Sequence, residues 1–304
     1  IIIKQLFIMR IFDCFMYFDE ELVLDLRLNY LNPYVDYFVI VESSFTHRGE
    51  KRNLNFDLEK FKKFKDKIIY KVYEETSEKI EKVFDQDDEA TKTNKYIWNA
   101  IFRENGQRNY LIKGIEEAND NDFILISDVD EIPNLKNINL KNIKNKIILF
   151  KQEMFYYKFN LKLPNIDWIG TKACKKRDLI SPQWLRNIKD RKYAFYRLDA
   201  LFSDKKYIDV KIVDNGGWHF TNIKKAEEIK YKLRSYLHHR EFDLEPLNTN
   251  EIENIINNKL AIYDLTADKR INKIGKGNKL EKYDIENLPD IIKLNQKKYK
   301  EWLD

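Results

Sequence analysis

Long apolar runs are missing from this chain of 304 residues. The most apolar start, Ile1-Ile2-Ile3 to Ile8, is interrupted by Lys4, is too short to cross a bilayer and lacks the small-residue cleavage site of a secretory leader. No other stretch approaches membrane length, so an integral membrane span is not expected. Met9-Arg10-Ile11 would make a natural beginning, and residues 1–8 are therefore expected to be a non-native or upstream extension. Cysteine is equally scarce. Cys14 and Cys174 make no disulfide framework, have no ligand-spaced histidine or cysteine, and read as packing residues. That usage suits a reducing compartment, and a cytoplasmic location, peripheral at a membrane as the alternative, is the expectation. An excess of one charge is also absent: 55 basic against 50 acidic residues leave +5. The lysines are spread along the chain, and clusters such as Lys60 to Lys67 read as solvated helix faces, so no nucleic-acid partner is expected. With no internal repeat and no low-complexity linker, a single domain over 9–304 with a helical C-terminal layer is the simplest division.

What is present is an alternation of apolar strands and helical stretches. Ile8 to Phe15 reads as a strand, Asp19 to Leu31 as a helix stopped by Pro33, and Tyr37 to Glu42 as a second buried strand, together a β-α-β unit. Lys67 to Glu74 is a third strand candidate. Lys95 to Ala118 reads as a helix interrupted near Gly106, with Arg108, Leu111 or Ile112, and Ile115 on one stripe. An arginine on a core-facing stripe needs an anion, although a snorkelling surface arginine fits the same spacing. Asp13 and Glu42 are read as acids that finish their strands. Pro164 to Lys172, around Trp168, reads as a loop, and the segments around Ile229, Leu233, Ile252 and Ile256 as helices.

The chemistry gathers at Phe123-Ile124-Leu125-Ile126-Ser127-Asp128-Val129-Asp130-Glu131-Ile132-Pro133, an apolar strand that empties into an acidic loop. Ligands of open α/β sheets sit at the carboxyl ends of such strands. Asp128 and Asp130 placed there repel one another unless a cation or a proton intervenes, which calls for a divalent metal bound through hard oxygen ligands. A solvated turn or a helix cap at Asp130 is the bland reading of the same residues. Downstream, Asp214-Asn215-Gly216-Gly217-Trp218-His219-Phe220 joins two glycines, which permit close backbone approach to a ligand, to a histidine able to complete the metal site.

Phe12-Asp13-Cys14-Phe15, Val35 through Glu42, Gln107-Arg108-Asn109, Ile126 through Pro133 and Gly216 through Phe220, occurring in this order, resemble glycosyltransferase family 17, which includes the bisecting β-1,4-mannosyl-glycoprotein 4-β-N-acetylglucosaminyltransferases. The resemblance implies an α/β fold of GT-A type, with a Rossmann-like, mainly parallel central sheet flanked by helices. It divides the chain into a donor-binding half, about 9–133, and an acceptor half, about 134–304. It also implies inverting transfer from UDP-N-acetylglucosamine to a glycan acceptor, assisted by Mn2+ or Mg2+. On that basis Asp128, Asp130 and His219 hold the metal, and Asp13, Glu42, Arg108, Gly216 and Gly217 serve the donor. Trp168 and Trp218 contact the acceptor, and Asp214 is the choice of base, with Glu153 and Glu241 in reserve. Two other classes compete: a haloacid-dehalogenase-type phosphatase using Asp128 and Asp130, although its motif belongs on an early strand, and a non-catalytic carbohydrate-binding protein.

Overall fold

The computed structural model describes residues 9–194, 202–263 and 277–304. The expected extension at 1–8 lies outside them. β1 (Ile11–Tyr17) is flanked in parallel by β2 (Tyr37–Ser43), beyond which lies β3 (Ile68–Tyr73), and on its other side by β4 (Phe123–Asp128). The short β5 (Glu131–Pro133) follows β4 directly. β6 (Ile147–Tyr156), β7 (Leu161–Lys162) and β8 (Trp168–Lys175) then extend the sheet with antiparallel pairings, β8 lying between β4 and β6. β9 (Val210–Val213) and β10 (Gly217–Thr221) run parallel to successive halves of β6. The sheet is therefore mixed, with one parallel block, rather than mainly parallel.

Period-two alternation explains both faces of that block. Phe15 and Tyr17 of β1 and Phe38 and Ile40 of β2 point to one face, where α1 (Glu21–Leu31) buries Val23, Leu24, Leu26, Leu28 and Leu31. Full burial of each such side chain contributes about 1.5–3 kcal/mol. Asn32 and Pro33 follow the last turn and stop this helix. Phe12, Cys14, Val39 and Val41 point to the opposite face, against Leu111 and Ile115. Both cysteines are buried and free, as the sequence suggests; burial pushes the Cys174 thiol up to about 12 and that of Cys14 well above its ordinary value.

α2 (Glu89–Asn109) starts earlier than expected, because Asp88 accepts a hydrogen bond from the Thr91 amide at 2.7 Å. It also runs unbroken through Gly106, whose place is set by packing: a Cβ there would lie 2.2 Å from the Tyr73 hydroxyl of β3. Of the loop expected over Pro164 to Lys172, residues 164–167 are turn and loop, and from Trp168 on the chain is strand β8. The helical C-terminal layer divides between two places. α4 (Ala226–Ser235), with the helices His239–Leu244 and Thr249–Asn257, covers Met154, Tyr156, Leu161 and Leu163 at the far end of β6. Ile292 and Tyr299, from the last helices, return to the α1 face.

Candidate active site

Because β1, β2 and β4 are parallel, Tyr17, Ser43 and Asp128 all end at one edge of the sheet, and that edge opens into a cleft of about 510 Å³. Helix α4 forms its opposite wall through Lys232, Leu233 and Ser235. The 44–47 segment after β2 and Glu104, Gln107 and Arg108 of α2 line one side. Arg186 and Asn187 of α3 (Pro182–Asn187) join them from the end of that helix.

β5 carries the acidic loop back against β10, pairing Glu131 with His219 and Ile132 with Trp218, while the Phe220 amide donates to the Asp130 carbonyl at 2.8 Å. This ladder brings His219 Nε2 to 3.5 Å from Asp130 Oδ1. Lys232 Nζ stands 3.7 Å from the other Asp130 oxygen and 3.1 Å from Glu20. Burial alone would raise the Asp130 carboxyl, but His219 and Lys232 overcome it and hold the group well below the usual carboxylate range. Burial would likewise lower the His219 imidazole, and Asp130 more than compensates, so His219 is raised.

Asp128 is held differently. Arg108 donates to its Oδ1 at 3.1 Å and Arg186 to its Oδ2 at 3.2 Å. Against the opposing effect of burial, Arg186 and Arg108 keep the Asp128 carboxyl below its ordinary value. Arg186 also forms a two-pronged pair with Glu131, at 2.8 and 3.1 Å. The fully buried Glu131 accepts in addition from the Trp168 indole at 2.9 Å and the Asp128 amide at 2.9 Å. The anion that Arg108 needs is supplied by Asp128 and by Glu104, one helical turn earlier at 2.7 Å.

Asp128, Asp130, Arg108, Trp168 and His219 thus meet in one cleft. Each Asp128 oxygen already accepts one hydrogen bond from a guanidinium group. No group of three His, Cys, Asp or Glu side chains placed to hold a metal ion occurs among the described residues. Asp130 and His219 remain as an adjoining oxygen and nitrogen pair. Trp168 lies 4.9 Å from the His219 ring, half-buried in the cleft wall.

The other expectations are corrected by position. Asp13 is the third residue of β1, not its end, and so shares the face of Phe15; it is wholly buried, with both oxygens paired to Arg27 of α1 at 2.6 and 2.8 Å. Arg27 in turn donates to the carbonyls of Asp128, Val129 and Glu131, so Asp13 supports the acidic loop from beneath. Glu42 is also fully buried and accepts from Arg52, the Asn55 and Phe56 amides and Tyr70. It anchors the 52–56 loop instead of reaching a ligand. Gly216 and Gly217 permit close approach of backbone to backbone, not to a donor. Gly217 has φ +131°, and a Cβ on it would meet the Ile132 carbonyl at 2.1 Å. Trp218 faces the α1 side, donating to the Asn287 carbonyl at 3.1 Å and packing edge-on against Tyr30. Asp214 is exposed in the turn between β9 and β10 and does not line the cleft.

A family model described as glycosyltransferase family 17 matches residues 4–304. The chain belongs to glycosyltransferase family 17. It is therefore a glycosyltransferase, with a sugar donor and an acceptor, and the phosphatase reading falls. No curated protein is matched by the chain. Within this family 17 chain, the cleft residues passed over by the sequence reading include Lys232, Glu20, His47 and Glu104. Two carried a signal. Glu104 stands four residues before Arg108 on one helix face, and Lys232 sits beside Leu233 at the edge of an apolar stripe. Among the described residues, no helix is long and apolar enough to cross a membrane.

Proposed function

We propose that this glycosyltransferase has a GT-A type fold and moves N-acetylglucosamine from UDP-N-acetylglucosamine, with inversion, into β linkage on a glycan acceptor, using Mn2+ or Mg2+. The observation that carries a ligand into this cleft is a cluster of unmet hydrogen bonds. Seven buried side-chain polar atoms lack a partner among the described residues, and five of them, His47 Nδ1, Arg108 Nε, His219 Nδ1 and the hydroxyls of Tyr236 and Tyr263, belong to residues lining it. Each such atom left unmet costs about 1–3 kcal/mol, which a polar ligand would offset. Polar groups converging in a concave site at the ends of parallel strands are the expected setting for a nucleotide sugar.

Asp130 and His219, the latter as the neutral imidazole, would hold the cation. When bound, the cation supplies Lewis-acid stabilisation of the departing diphosphate. Arg108 and Arg186 orient Asp128 and offset the negative charge of Asp128, Glu104 and Glu131 on the side where the leaving group becomes more negative. Trp168, braced by Glu131, holds the His219 ring in place. Asp214 is not positioned to take the acceptor proton. Among the carboxylates lining the cleft, Glu104 and Asp128 are clasped by arginine and Asp130 faces His219, while Glu20 pairs with a lysine, Lys232 at 3.1 Å; Glu20 is our candidate base.

A panel of UDP-sugars offered to the purified protein, with UDP release as the readout, tests the proposal. UDP-N-acetylglucosamine should be hydrolysed slowly, chelation should stop it, manganese or magnesium should restore it, and Asp130→Ala should abolish it. Equal turnover with and without chelator would remove the metal and leave leaving-group stabilisation to Arg108 and Arg186.

A further inference from the structure

Beside the cleft lies a second hollow of about 570 Å³, lined by Asp19, Lys51, Arg52, Asn53, Asn55 and Tyr231. The two adjoin at Arg52, which borders both. Its character differs from that of the cleft. Tyr231 of α4 is 47% exposed, and one face of its ring is stacked on Phe18, with centroids 5.7 Å apart and planes 16° from parallel. Phe18 is itself covered by the Arg52 guanidinium at 4.4 Å. The platform is thus rigid and stands on the wall of the hollow, and burial in the core does not explain it. The rim beside it is fixed as well: Asn55 and Arg52 donate to the Phe18 carbonyl at 2.8 and 2.7 Å, and Glu42 anchors both from below. Lys51 and Asn53 are exposed, and neither side chain has a hydrogen bond among the described residues. The hollow therefore offers one aromatic ring, two amides that both donate and accept, an ammonium donor and the Asp19 carboxylate, one oxygen of which is held by Lys224 at 2.6 Å. A pyranose presents the complementary surface, an apolar face of C–H groups edged by hydroxyls that donate and accept. The mixture of Asp19 with Lys51 and Arg52 suits a neutral sugar better than a phosphate.

We propose that this hollow is the acceptor subsite, receiving one neutral pyranose ring that lies on Tyr231. The assignment rests on the glycosyltransferase reading and gives it a direction: the acceptor enters past Asp19, and the adjacent Glu20, tied through Lys232 to Asp130, meets the hydroxyl that is to be glycosylated.

Saturation-transfer NMR on the full chain with methyl β-glycosides of mannose, galactose, glucose and N-acetylglucosamine tests it, alongside UDP affinity and UDP release from UDP-N-acetylglucosamine. At least one glycoside should bind, and Tyr231→Ala should weaken it about five-fold, the worth of one aromatic face. Tyr231→Trp should retain binding, and both variants should leave UDP affinity unchanged. Binding by none of the four, binding indifferent to Tyr231→Ala, or displacement of the sugar by UDP would each overturn the proposal. Sugar binding through Tyr231 without UDP release would instead defeat the transferase mechanism while the subsite stood.

Discussion

Replacing Asp13 by alanine should unfold the protein rather than disable its ligand site. Asp13 and Arg27 are both 0% exposed and meet at 2.6 and 2.8 Å. Arg27 also donates to Ser127 Oγ and to three carbonyls of the acidic loop, and lies over the Phe15 ring. Those oxygens remain after the substitution, but they are dipoles, and the guanidinium is left without a counter-ion in the core. Removing one partner of a buried pair typically costs about 3–5 kcal/mol, a large share of the roughly 5–15 kcal/mol that keeps a domain folded. Urea unfolding followed by tryptophan fluorescence should show a midpoint well below that of the wild type. The double variant Asp13→Leu/Arg27→Met should recover much of the loss, since it removes the stranded charge together with its partner. Nucleotide affinity of Asp13→Ala, measured by calorimetry on protein still folded, should be close to wild type. A variant as stable as the wild type within about 0.5 kcal/mol that binds UDP weakly would refute this reasoning and return Asp13 to the donor site.

Gly217→Ala should lower the thermal midpoint and expression together, because a Cβ there meets the Ile132 carbonyl and the φ of +131° is strained for alanine; an unchanged melting curve would show that β10 can shift away from β5. Burial holds the His47 and His239 imidazoles below their ordinary value, so the unfolded chain binds more protons than the folded one as pH drops through about 6.5. Their contribution to stability is present above that pH and declines below it, opposite in sign to that of His219, whose raised value favours the folded state at lower pH. The fall in urea midpoint between about pH 7 and 5.5 should therefore shrink in His47→Gln/His239→Gln, and a slope identical to wild type would mean that these rings are protonated in the folded state.

The sequence by itself determined what depends on local pattern. The alternation of apolar strands and helices placed β1, α1, β2 and β4 in order, the scarcity of cysteine matched two buried free thiols, and the acidic loop after an apolar strand marked the edge where the cleft lies. The motif order named the family because it is a property of the chain alone. The direction of a side chain was decided elsewhere. Asp13 looked like the end of a strand, but β1 continues to Tyr17, and a residue in mid-strand must face one side of the sheet, here α1 and Arg27. Glu42 ends an apolar run as read, yet the 52–56 loop folds over it and takes both its oxygens. Trp218 and His219 are neighbours in sequence, and strand alternation sends one to the core and the other to the cleft. Only the tertiary structure could bring Arg186, from a helix 55 residues beyond Glu131, onto the acidic loop, and Lys232 and Tyr231 from α4 onto the walls of the cleft and of the hollow beside it. Contacts between elements far apart in sequence leave no periodic trace in it, because the packing that makes them depends on every element lying between.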